Sequence, residues 1–95
     1  MDKQEARSLL TEQLGLCRAR SYADLAAMIG QAVCIEVTGP TGKCYQIEFS
    51  VLWDGKPGEE VRVIASIDDG SFRAAFSPLS DGFIKAPDGT FIGES

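Results

Sequence analysis

The residues best suited to chemistry in this chain are carboxylates and thiols. Asp54, Asp68, Asp69, Asp81 and Asp88 lie near glycines, and Asp-Gly recurs at 54–55, 69–70, 81–82 and 88–89. Two carboxylates in one pocket can divide general acid and general base work. Asp before Gly is also what a tight turn requires, because Asp hydrogen-bonds its own backbone and Gly accepts positive φ. The first two pairs fall between alternating segments, so the turn reading is preferred. No loop carries the Asp-x-Asp-x-Asp-Gly ladder with a distal Glu that holds calcium. The chain has no histidine, which removes the usual general base and a common metal ligand.

Cys17, Cys34 and Cys44 are an odd number of thiols without Cys-x-x-Cys spacing. That pattern fits a reducing compartment better than a disulfide framework. Cys17 falls late on an apolar helical face and reads as a small core residue. Cys34 and Cys44 fall on adjacent strands out of direct register. Gly39-Pro-Thr-Gly-Lys43 contains a Gly-Lys pair, but lacks the spacing of a phosphate loop and leads into a strand. No cofactor or metal site is expected.

These residues must be positioned by a regular scaffold, and its centre is Lys43–Trp53. Tyr45, Ile47, Phe49, Val51 and Trp53 alternate with Gln46, Glu48, Ser50 and Leu52. Such alternation is the period of a half-buried strand. Val33, Ile35 and Val37 alternate in the strand before it. Val61, Val63, Ala65 and Ile67 alternate in the strand after it, and Phe72, Ala74 and Phe76 suggest a fourth. Short connections favour an antiparallel meander in the order 1-2-3-4.

Ahead of the sheet, Ala6, Leu9, Leu10, Leu14 and Cys17 share a helical face over residues 3–20. Ser21 and Asp24 resemble a helix start, and Gly30 a stop, so a break at Ser21 is expected. Behind the sheet, Phe83-Ile84 and Phe91-Ile92 flank Ala86-Pro-Asp-Gly89 and suggest a docked hairpin. The expected fold is α+β: two N-terminal helices packed on one face of a four-stranded antiparallel meander, with a short C-terminal hairpin. It reads as one domain over 1–95, with helices at about 3–29, sheet at about 32–77 and the hairpin segment at about 80–93.

The sheet's second face carries Glu36, Glu48, Arg62 and Arg73, charges that can pair across strands. Leu52, Ile64 and Ala75 interrupt it. Pairing Trp53 near Val61 places Ile64 opposite Ser50 and diagonal to Leu52. The C-terminal segment is expected to cover this small patch; otherwise it contacts a partner. Glu48, Leu52, Arg62, Ile64 and Arg73 are therefore the candidate interaction surface.

The net charge of −5 argues against a nucleic-acid surface and suits a cationic partner. No apolar run reaches membrane length and the N-terminus is too polar for a signal peptide, so a cytoplasmic location is expected and no membrane partner. With no catalytic set apparent, the expectation leans away from an enzyme. It favours an interaction module that binds a basic protein, as an immunity-type inhibitor or a dedicated chaperone would. Two alternatives stand beside it. One is a small-ligand or enzymatic site between the C-terminal segment and the sheet, using Asp81 or Asp88 with Arg73. The other is a structural homodimer through edge strand one or four.

Overall fold

The computed structural model describes residues 2–70 and 79–94. The protein is α+β, with an open four-stranded antiparallel sheet in the order β1-β2-β3-β4. Helix α1 spans Lys3–Arg18 and α2 spans Tyr22–Ala26. The strands are β1 Ala32–Thr38, β2 Cys44–Trp53, β3 Val61–Asp68 and β4 Leu79–Lys85.

Helix α1 starts where Asp2 caps it, its side chain accepting from the Glu5 amide at 3.1 Å. Ala6, Leu10 and Leu14 form the buried stripe. The break at Ser21 is present. Ser21 caps α2 by accepting from the Asp24 amide at 3.1 Å. Helix α1 lies against β3 and β4, and α2 against β2 and β3. No helix of the described residues is long and apolar enough to cross a membrane.

The core forms where Tyr45, Ile47, Phe49, Val51, Val61, Val63, Ala65, Ile67 and Phe83 meet Ala6, Leu10, Leu14 and Leu25. The register follows the alternation: Trp53 pairs with Val61 and Ser50 with Ile64. The inward residues of β1 are only half-buried, because the helices lie over the other three strands.

Two expectations at the C-terminal end need correction. The strand paired with β3 is Leu79–Lys85, drawn from the segment expected to form the terminal hairpin. The expected strand at Phe72, Ala74 and Phe76 lies outside the described residues. Asp81-Gly82 is not a turn but sits inside β4, opposite Ala65 and Ile64. Gly82 is required there, since a Cβ would strike the Val63 carbonyl oxygen.

After Lys85 the chain turns back. The Ala86 amide donates to the Thr90 carbonyl at 2.8 Å and the Ile92 amide to the Ile84 carbonyl at 2.9 Å. Phe91 rests edge-on to Phe83, with centroids 5.6 Å apart. The Arg18 guanidinium lies 5.1 Å from the Phe83 ring and 4.8 Å from the Phe91 ring. Both of its terminal nitrogens reach the Glu94 carboxylate at 2.8 Å. Arg18 thus binds the tail. Buried Lys85 instead serves the end of the helix, donating to the carbonyl of Arg18, its last residue, at 3.2 Å and to that of Arg20 just beyond it at 2.7 Å.

Candidate functional site

The sheet face away from the helices carries the candidate surface. Strand pairing sets it out in rows. Arg62 lies between Leu52 and Ile84, and Ile64 lies between Ser50 and Gly82. Leu52 and Ile64 are each 39% exposed. A hollow opens beside Ile64 and Gly82. It has a volume of about 440 Å³, lined by Arg62, Ile64, Gly82, Ile84, Ile92 and Glu94 among others.

Among the described residues the C-terminal segment borders this patch through Ile84 and Ile92 but leaves Leu52 and Ile64 exposed, so the expected cover is incomplete. Phe91 turns toward the helix side, where the two Phe rings and the Arg18 guanidinium pack together. Ile92 instead remains 43% exposed at the rim of the hollow and enlarges the apolar surface. Ala75 lies outside the described residues.

Arg62 is held in place. Its Nε donates to Asp54 Oδ1 at 2.7 Å, across the hairpin that the Asp54 amide closes on the Glu60 carbonyl. The expected cross-strand ion pairs do not form among the described residues. Glu48 lies opposite Cys34 and Ser66, and Glu36 opposite Gln46, so neither faces a cation. Arg73 lies outside the described residues. The structure thus brings together Leu52, Arg62 and Ile64, and leaves Glu48 one strand position away on β2.

Sequence reasoning missed Ile84, Ile92 and Asp54 as members of the surface. Ile84 was legible only once Gly82 was understood as a strand residue. Asp54 was assigned to its turn alone, yet it also anchors Arg62.

Asp68, Asp81 and Asp88 are occupied in local structure. The Asp88 carboxylate accepts from the Thr90 hydroxyl at 2.6 Å and its amide at 2.9 Å. These bonds, the hydroxyl first, hold it below its ordinary range, so it stays ionised in its turn. Asp68 accepts from the Gly70 amide, and Asp81 from the Gly82 amide. Cys34 and Cys44 are exposed and free, opposite Glu48 and Thr38 respectively. Burial raises the Cys17 thiol above its usual pKa, which suits a packed residue rather than a nucleophile.

Comparison with known protein families, curated proteins and solved structures finds no match to this chain.

Proposed function

We propose that the protein is a non-enzymatic interaction module that docks a partner protein on the outer face of its sheet. One observation carries the reading. Leu52, Ile64, Ile84 and Ile92 gather round a fixed Arg62–Asp54 pair on a face that is otherwise polar. Leu52, Ile64 and Ile92 are exposed and Ile84 is half-buried, and aliphatic residues around a pre-positioned arginine are the composition of an interface centre. Asp54 restricts the Arg62 side chain before any partner arrives, which lowers the ordering cost of docking.

The net charge of −5 favours a basic partner and fast, salt-sensitive association. An acidic module of this size masks a basic surface in the manner of an inhibitor or a dedicated chaperone. The test is affinity capture with the whole chain as bait, at low and moderate salt, read by mass spectrometry. One basic protein in stoichiometric amount, falling as salt rises, supports the proposal. Recovery of the chain alone at both salts contradicts it.

A further inference from the structure

Strand β1 forms an edge of the sheet, separate from the open face. Gly39 donates its amide to the Lys43 carbonyl at 2.9 Å, which fixes that pair as hydrogen-bonded. In an antiparallel ladder bonded and non-bonded pairs alternate. With Thr38 opposite Cys44 and Ala32 opposite Ser50, the odd residues of β1 therefore bond to β2. The N–H and C=O groups of Ala32, Cys34, Glu36 and Thr38 point away from the sheet. Among the described residues nothing pairs with them. The opposite edge differs, because the chain's own tail bonds there through Ile92 and Thr90.

Strand β1 is lightly protected for an edge, with Glu36 as its one charged residue. It has no proline and no lysine, and its register with β2 runs unbroken over seven residues. Its two sides differ in chemistry. On the helix side Val33, Ile35 and Val37 are half-buried. Val33 and Ile35 border a hollow of about 180 Å³ that Leu16, Met28 and Phe49 also line, and Leu16 is 62% exposed. On the other side Glu36 and Glu48 are exposed and face no cation among the described residues.

We infer that this edge accepts an extended segment of a basic partner as a fifth strand. The segment alternates aliphatic residues, which continue the row of Val33, Ile35 and Val37, with lysine or arginine, which meets Glu36 and Glu48. A second copy of this chain fits less well. The register that pairs all seven residues sets Glu36 diagonal to its mate, with both Glu48 side chains one strand further out. This inference rests on the reading of the protein as a partner-binding module and adds a surface to it.

The test uses the whole chain and a labelled peptide, acetyl-Val-Lys-Val-Arg-Val-Lys-Val-amide, in fluorescence anisotropy. The control peptide has glutamate at the three basic positions. Saturable binding is expected for the basic peptide, and at least roughly tenfold weaker binding for the acidic one. Cys34→Pro removes an outward N–H without touching the β1–β2 ladder and should weaken binding by a similar factor. Glu36→Lys, which leaves the backbone intact, should weaken it roughly three- to tenfold. Ile64→Glu should leave peptide binding unchanged, which separates this edge from the open face. Failure of the basic peptide to bind, or binding by both edge variants as tight as by wild type, overturns the inference. So does a wild-type dimer in light scattering that either edge variant converts to monomer, since a second copy would then be the occupant.

Discussion

The Tyr45 hydroxyl donates to Glu5 Oε1 at 2.6 Å, joining the first turn of α1 to the start of β2. The same carboxylate accepts from the Thr41 amide at 3.1 Å and the Thr41 hydroxyl at 2.9 Å. Gly39 leaves the space for it, since a Cβ there would lie 2.6 Å from the carboxyl carbon. One glutamate therefore holds the β1–β2 turn against the helix, and with it the end of the open edge.

This contact makes stability depend on pH in two directions. The hydrogen bond to Glu5 is the main cause that pushes Tyr45 up to about 12, and it also lowers Glu5. Tyr45, raised in the folded state, contributes stability that is complete below pH 10 and is lost as pH rises toward 12. Glu5, lowered in the folded state, contributes stability present above pH 4.5 and lost as pH falls through its folded value. Tyr45→Phe should lower the urea midpoint at pH 7 and flatten the loss between pH 10 and 12. A midpoint unchanged from wild type across this range would show that the bond contributes nothing.

Two glycines should respond oppositely to alanine. Gly15 lies exposed within α1, and a Cβ there meets nothing within 4 Å. Gly15→Ala should stabilise the protein by about 0.5–1 kcal/mol through helix propensity and chain entropy. That is a rise in Tm of roughly 2–8 °C. Gly82→Ala should destabilise it, because the new methyl meets the Val63 backbone, which cannot yield as a flexible side chain would. Thermal melts of both variants check the pair.

The tail should detach as a unit. Arg18→Ala removes the ion pair with Glu94 and the cation between Phe83 and Phe91. Amide hydrogen exchange should quicken at Ala86 and Ile92, which bond within the tail and to β4, while β2 amides stay protected. Uniform quickening across the sheet would show that the tail is no separate unit.

Lys85 should tolerate change poorly. Its ammonium is the partner of the Arg18 carbonyl at the end of α1 and of the Arg20 carbonyl just beyond it. Lys85→Met keeps the apolar stem and removes the donor, and should cost about 1–3 kcal/mol in chemical denaturation. A smaller loss would mean that water replaces the ammonium.

Much of the fold was legible because its strands obey strict alternation. The pairing of Ser50 with Ile64 follows from period two and the turn at Asp54. The break at Ser21 was legible because Ser21 and Asp24 are local capping residues. What misled was non-local. Asp81-Gly82 has the composition of a turn, but Gly82 is set by the approach of the Val63 carbonyl from a neighbouring strand. Arg18 suits a helix C-terminus by position, yet its partners Phe83, Phe91 and Glu94 lie more than sixty residues on. For the same reason Ile92 could not be placed on the outer face from spacing alone. That Leu52, Arg62 and Ile64 are neighbours on one face was legible from alternation, while the Asp54 anchor and the place of Ile84 beside Arg62 depend on contacts that spacing does not encode.

The most direct measurement of the account is quantitative capture by Ile64→Glu beside wild type, from one lysate of the source organism. Circular dichroism should first show equal folding, since Ile64 is exposed and outside the core. The account predicts a stoichiometric basic protein on wild type, and its loss on the variant as a charge enters the centre of the patch. Equal amounts of the same protein on both baits would contradict the outer face as the docking surface.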